Sequence, residues 1–366
     1  MSPTQRLSPQ LQQTFARLIA NRLGLTLRKS DQAELQVFIF NRLRVMGLDA
    51  PEKYYLLLNE NTARSHQEWL QLISVVTNTE SFFFRDKGQF NLLKNYLLPT
   101  LIENKSDQKR LRICSAGCST GEEPYSIAIL LTDLISNLNS WDLKIVGIDI
   151  NPAAIEKAQT GVYRPWSFRG IEPEIKERFF SESSGHYKID RAIQAMVDFK
   201  VVNLVDSSFL DPALNLTDMD LILCRNVFIY FSSSAIKSVL NKFYDALRPL
   251  GYLMVGHAEL HSQDLKKLHT QVFDESIAYQ RPVDDIVQSP FNTLAIQTSL
   301  ETQKDVTEAI ADQELDQLFK GSDIKMNQVA LNLLRQLPND SRISKLGNLT
   351  AAELISQLEN KLKDIE

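Results

Sequence analysis

The chain has 366 residues, with 45 Asp and Glu against 40 Lys and Arg and a formal net charge of −5. That length allows two or three domains with substantial cores, and the acidic balance argues against nucleic acid as the main partner. No apolar run approaches a membrane span, the N-terminus lacks a signal-peptide core, and three cysteines are too few for a disulfide framework. A cytoplasmic protein without membrane insertion is therefore expected.

Residues 1–95 read as a helical domain. Ser8-Pro9 makes a cap and first turn ahead of Leu11, Phe15, Leu18, Ile19 and Leu23, and Gly24 stops that helix. Ser30 is expected to cap a second helix carrying Leu35, Phe38, Ile39 and Leu43 and ending near Gly47. A third starts at Pro51 and carries Tyr54, Tyr55, Leu57 and Leu58; a fourth covers Trp69, Leu72, Ile73 and Val76. Residues 1–70 hold nine Lys and Arg against six Asp and Glu. This excess reads as a solvated helix surface, with a docking face for an acidic partner as the alternative.

From Leu111 the pattern changes to short apolar runs separated by helical stretches, the signature of an alternating α/β sheet. Strands are predicted at Leu111–Cys114, Lys144–Ile148, Val197–Val202, Leu221–Leu223 and Tyr252–Val255, the last entered by a turn at Leu250-Gly251. An antiparallel edge hairpin is predicted at Gln271–Phe273 and Ile277–Gln280. Residues 161–196 break the alternation and read as a small inserted subdomain. Residues 286–300 read as a linker. The remainder reads as helical and carries twelve acidic against eight basic residues from 301 on, with a Thr350/Glu353 capping box before Leu354, Ile355, Leu358, Leu362 and Ile365.

The stretch Ile113-Cys114-Ser115-Ala116-Gly117-Cys118-Ser119-Thr120-Gly121-Glu122-Glu123-Pro124-Tyr125-Ser126 is a strand, a small-residue turn and a helix start. This is how an α/β sheet makes room for a nucleotide-like ligand. Gly117 and Gly121 permit close backbone approach. Glu122 and Glu123 would repel a diphosphate but tolerate a cationic, phosphate-free ligand, of which S-adenosylmethionine is one. Asp149, at the tip of the second strand, can accept both ribose hydroxyls of an adenosine. Arg225-Asn226 ends the fourth strand and Asn203-Leu204 follows the third. Cys114 and Cys118 find no second Cys or His pair, so no metal is expected.

Seven motifs then occur in order: Glu80-Ser81-Phe82-Phe83-Phe84-Arg85-Asp86; Cys118 to Ser126; Asp149; Ala158-x-x-Gly161-x-Tyr163; Phe199-Lys200-x-x-Asn203-Leu204; Cys224-Arg225-Asn226-Val227-x-Ile229-Tyr230-Phe231; and Gly256-His257-x-Glu259. Over roughly residues 10–282 the chain resembles the CheR-type chemotaxis receptor methyltransferases. The resemblance implies an α/β fold: a class I, Rossmann-like S-adenosylmethionine domain (96–285), a helical N-terminal domain (1–95), a β-subdomain inserted near 163–197 and a helical extension (286–366). It implies methyl transfer from S-adenosylmethionine, leaving S-adenosylhomocysteine, to glutamates on the cytoplasmic helices of a chemoreceptor by a monomeric enzyme. By motif position Ser81, Arg85, Glu123, Asp149, Asn203, Leu204, Arg225 and Asn226 would contact the cofactor, with Thr79 and Gly117 beside them. Arg85 and Tyr230 would face the reacting centre. The family more often has Thr where this chain has Ser81; the hydroxyl is kept.

A glutamate, with a reference pKa of about 4.3, is already an anion near neutral pH and needs no general base. None of the five His is required, and His257 reads as a structural hydrogen bonder. Because charge is annihilated in the transfer, positioning and water exclusion should outweigh strong hydrogen bonding to the acceptor. Tyr230 would be a mild donor, and Phe83 or Phe84 a dry wall. The alternative is a cofactor-binding adaptor on the same fold. A nicotinamide dehydrogenase is disfavoured because the turn lacks G-x-G-x-x-G, and a nucleic-acid methyltransferase because a basic face is wanting.

Overall fold

The computed structural model describes residues 6–257, 259–260, 265, 267–274 and 276–283, and further on 342–343, 349–350 and 352–357. The chain divides into two compact units, Met1–Asp284 and Asp285–Glu366. In the second unit the described pieces are a two-stranded pairing and a helix over 352–357. Ahead of that helix Thr350 and Glu353 form the expected reciprocal cap, with the Glu353 amide donating to Thr350 Oγ1 and the Thr350 amide to Glu353 Oε2. The predicted linker at 286–300 and the rest of the extension lie outside the described residues.

Four helices open the first unit: α1 (Pro9–Leu23), α2 (Lys29–Met46), α3 (Pro51–Asn59) and α4 (Ala63–Val76). Ser8 Oγ accepts from the Leu11 amide, Pro9 occupies the first turn, and Gly24 at φ 75° ends α1 with its amide on Ala20 O. Phe15, Ile19 and Leu23, spaced by four, are buried on one face against Leu35, Ile39, Tyr54, Leu58 and Leu72. Each such side chain contributes about 1.5–3 kcal/mol on burial. The start of α2 differs from expectation. Asp31 Oδ2 accepts the Arg28 amide at 2.9 Å, so Arg28 caps and Ser30 lies inside the first turn.

Next come α5 (Lys87–Leu92), a π-helical turn (Leu93–Leu97) and α6 (Leu98–Asn104). Phe90, Leu92, Leu93, Leu97 and Leu101 pack with the sheet, not with the four-helix layer. The helical run therefore passes the expected boundary at 95 without a break. The sheet begins with β1 (Arg110–Ala116), α7 (Glu122–Leu134), β2 (Asp142–Asp149) and α8 (Pro152–Thr160).

The insertion follows: β3 (Val162–Tyr163), α9 (Pro173–Phe179), β4 (Phe180–Ser183) and β5 (His186–Ile189), a separate antiparallel sheet ordered β3-β5-β4. Residues 181–187 form a tight hairpin. Its two turn residues, Ser184 and Gly185, have φ of 51° and 74°.

α10 (Arg191–Ala195), β6 (Val197–Val201), β7 (Met219–Cys224), α11 (Ser233–Ala246), β8 (Leu247–Val255), β9 (His269–Phe273) and β10 (Ser276–Gln280) complete the unit. The seven-stranded order is β6-β2-β1-β7-β8-β10-β9, parallel from β6 to β8 and antiparallel at β10 and β9. This is the expected Rossmann-like sheet with its edge hairpin. Leu250-Gly251 is a bulge within β8 and not a turn into it, since the register shifts between the pairs Met219–Leu247 and Leu221–Tyr252. From β1 the chain winds outward through β2 to β6, then returns to β7 on the other side. The β1/β7 boundary is thus the switch point, where the strands' carboxyl ends leave a crevice.

Candidate active site

A cleft opens at that switch point, between the sheet's carboxyl edge and the helical layer. Ser81, Arg85, Gly117, Glu123, Asp149, Asn203, Leu204, Arg225, Asn226 and Tyr230 all line it. Thr79 does not: its side chain is exposed, and its carbonyl accepts from Ser119 Oγ at 2.9 Å.

The turn after β1 is shaped by its backbone. Gly117 lies at φ 73°, and a Cβ there would come within 2.4 Å of Val227 Cγ2. Both facts require glycine. The Ser119 amide donates to Asp149 Oδ2 at 2.8 Å, and the Asn151 amide to Asp149 Oδ1 at 2.9 Å. Each oxygen retains a lone-pair position, so the carboxylate can still accept two hydroxyls. Burial raises the Asp149 pKa, against the lowering effect of the Asn151, Ser119 and Ile150 amides.

The two acids of the turn part company. Adjacent helical residues do not share a face. Glu122 is buried away from the cleft, where Thr120 Oγ1 and Ser167 Oγ donate to it at 2.6 and 3.0 Å. Glu123 faces the cleft, accepting from Ser115 Oγ at 2.7 Å and from Arg225 Nη1 at 2.9 Å. Of the two, only Glu123 presents a carboxylate to a cationic ligand in the cleft.

The two arginines also differ. Arg225 has a side chain only 2% exposed. It donates to Glu123, through Nη2 to the Arg85 carbonyl and through Nε to Gln89 Oε1. It is a buried clasp between β7, α7 and the segment bearing Arg85. Among the described residues the Arg85 guanidinium makes one hydrogen bond, from Nη1 to Glu80 O at 3.1 Å, and it lies 5.6 Å from the Phe82 ring centroid. Its other N–H donors remain for a ligand.

That segment is pinned at several points. The Phe83 amide donates to Ser167 O at 2.9 Å and the Phe84 amide to Ser126 Oγ at 3.0 Å. Arg169 holds Glu80 at 2.8 Å and stacks 3.8 Å from the Phe82 ring centroid. The dry wall is accordingly Phe82 with Phe90, both in the cleft lining. Phe83 packs edge-on and stacked among Tyr163, Phe168 and Phe180, and Phe84 packs on Phe90.

Tyr230 ends a short 3₁₀ turn, Phe228–Tyr230, and its backbone bonds to the helical layer: the Thr26 amide donates to Tyr230 O at 2.7 Å. Its hydroxyl accepts from Asn78 Nδ2 at 3.0 Å and keeps its own proton to donate. Glu259 holds the segment from below by accepting the amides of Gly256, Asn226 and Ile229 at 2.6, 3.1 and 3.2 Å. His257 Nε2 lies 2.8 Å from Asp86 Oδ2, the structural contact expected of it.

Gln89 escaped the sequence reading. Buried beside the clasp, it joins Arg225 to Val255 O at 2.7 Å and Ser276 Oγ at 3.1 Å. Asp86 Oδ1 caps α5 by accepting the Gln89 amide at 3.4 Å, while the Gln89 side chain turns inward.

A family model described as "CheR methyltransferase, SAM binding domain" matches residues 79–276. The chain is 31% identical over 250 residues to the chemotaxis protein methyltransferase of Salmonella typhimurium, covering 67% of this chain and 82% of that one. It is 30% identical over 247 residues to that of Borreliella burgdorferi, covering 66% and 85%. It is 32% identical over 245 residues to a probable biofilm formation methyltransferase of Pseudomonas aeruginosa, covering 67% and 56%.

Proposed function

The chain belongs to the CheR methyltransferase family and is an S-adenosylmethionine-dependent methyltransferase, and from that premise we propose that its acceptors are glutamate side chains on the cytoplasmic helices of a chemoreceptor. The ester products would set the receptor's signalling state during adaptation.

One observation carries the choice of acceptor. Among the described residues, the ionisable groups lining the cleft are Glu80, Arg85, Cys118, Glu123, Asp149, Arg225 and Tyr230, and none is placed as a general base. Glu80 pairs with Arg169, Glu123 with Arg225, and Asp149 accepts two amides. Burial and the nearby Asp149 and Glu123 hold the Cys118 thiol well above its ordinary pKa. An acceptor entering this cleft must bring its own nucleophile, and a carboxylate does.

The cleft's residues fit the cofactor. Asp149 suits the ribose hydroxyls, the Gly117 turn admits backbone contact, and Glu123 with the Phe82 and Tyr230 rings suits a cationic centre. Bound there, S-adenosylmethionine supplies an electrophilic methyl group. Arg85 orients a carboxylate by bidentate donation, Tyr230 aims a neutral hydroxyl, and Phe82 and Phe90 exclude water. A neutral donor stabilises the reactant carboxylate less than a second cation would, so less is lost as charge disappears.

The test is incubation of the protein with methyl-labelled S-adenosylmethionine and membranes from its own cell. Base-labile label on receptor bands is expected. Label confined to other proteins, or none at all, would reject the acceptor assignment.

A further inference from the structure

The loop that follows β6 carries Asn203 and Leu204 into the cleft, and one side chain distant in sequence holds it. Its carbonyls at Leu204, Val205 and Ser207 all turn inward to a single point. Lys242 Nζ, reaching across from the middle of α11, occupies that point at 3.0, 2.5 and 3.0 Å. An ammonium has three N–H donors and no acceptor, and each donor here finds one carbonyl. Three converging carbonyl dipoles without a cation would repel one another and lose hydrogen bonds. Its other contacts are partly internal, the Ser207 amide donating to Asn203 O at 2.9 Å, and partly to its surroundings. Asn203 Nδ2 donates to Arg22 O at 2.8 Å, Asn203 Oδ1 accepts the Val205 amide at 3.0 Å, and the Val202 amide donates to Asp149 O at 2.9 Å. Asn203 thus spends its amide on the protein, and Leu204 supplies an apolar wall that is 6% exposed.

We propose that Lys242 is a positioning residue for cofactor binding: its ammonium fixes the loop that presents Asn203 and Leu204 to the cleft. It touches no ligand itself. It acts as a built-in cation clamp whose loss lets the loop relax away from the cleft. The inference rests on the reading that this loop borders the bound cofactor.

The test is calorimetric titration of S-adenosylhomocysteine into Lys242→Met, which keeps the stem and removes the donors. The Kd should rise about tenfold, while kcat at saturating cofactor stays within about twofold. Lys242→Arg restores the donors and should return the Kd to within about threefold of the parent. A residue that merely stabilises α11 would lower Tm without this split. The inference is overturned if folded Lys242→Met binds as the parent does, or if Lys242→Arg is as weak as Lys242→Met. Should Lys242→Met fail to fold, Lys242→Leu, which likewise carries no donor, replaces it, and unchanged affinity there overturns the inference equally. Asp149→Ala separates the two readings. If that variant also binds normally, the cleft assignment fails; if only the Lys242 variants do, the clamp fails.

Discussion

Asp149 is held for a task other than stability. Burial raises its pKa above the ordinary 3.8 in spite of three amides that favour the anion. The folded chain therefore binds this proton more tightly than the unfolded chain. Asp149's contribution to stability is greatest at low pH and is lost as pH rises through the folded value. Cofactor binding runs the other way, because only the anion accepts two ribose hydroxyls strongly. Affinity should fall with acidification, starting at a higher pH than an ordinary aspartate would set. Titrations at stepped pH check this; a Kd flat down to about pH 4 would reject it. Asp149→Ala should weaken binding about tenfold or more, the worth of a charge-assisted hydrogen bond. Tyr230 makes a different demand. Tyr230→Phe keeps the ring beside Arg28, whose guanidinium lies 5.2 Å from its centroid, and removes the hydroxyl that Asn78 meets. Turnover should drop about tenfold or more while cofactor Kd moves less than about twofold. Equal losses in both would remove Tyr230 from the reacting centre.

The elements show why some of this was legible in the sequence. The inner parts of β1, β2, β7 and β8 (residues 113–114, 145–148, 221–224 and 252–255) are buried on both faces and read as short apolar runs, so they stood out. α1 and α8 announce themselves by cap, proline and closing glycine: Ser8-Pro9 to Gly24, and Asn151-Pro152 to Gly161. The strand tips carrying Asp149 and Arg225 followed from those strands. What stayed hidden depends on partners distant in sequence. Nothing local says that Gln89 turns toward Arg225, that Glu122 leaves the cleft for Ser167, or that Phe82 and not Phe83 faces it. The turn after β1 is legible and testable together. Gly117→Ala adds a Cβ at φ 73° and 2.4 Å from Val227 Cγ2. The left-handed backbone costs about 1–2 kcal/mol per residue, with the clash on top. Val227→Ala in the same chain should relieve the clash and leave the backbone cost. A double-mutant cycle in denaturant should therefore show coupling of about 0.5 kcal/mol or more. Strict additivity would place the strain elsewhere.

Over the whole first unit, the cleft joins elements that the chain otherwise connects thinly. Leu23, Leu25, Val76, Thr77 and Asn78 come from the helical layer, and the remainder of the lining from the sheet and the pinned segment. The layer reaches the sheet through main-chain links. The Thr26 amide donates to Tyr230 O at 2.7 Å, the Ser232 amide to Gly24 O at 3.0 Å, and Leu25 bridges Phe231. Ile150, Tyr230 and Phe231 complete the helical layer's own core. A ligand filling such a cleft binds only when both sides are folded and joined, so its binding energy stabilises them as one. At a hundredfold excess over Kd that amounts to about 2.7 kcal/mol, which for a body of this size raises Tm by about 5 °C or somewhat more. S-adenosylhomocysteine should therefore move the unfolding of the helical layer and of the sheet together. Calorimetry on the full chain reports the shift, and hydrogen exchange on α1 and β1 resolves the two sides. Protection gained by β1 alone, with α1 unchanged, would mean that the helical layer opens independently of the cleft.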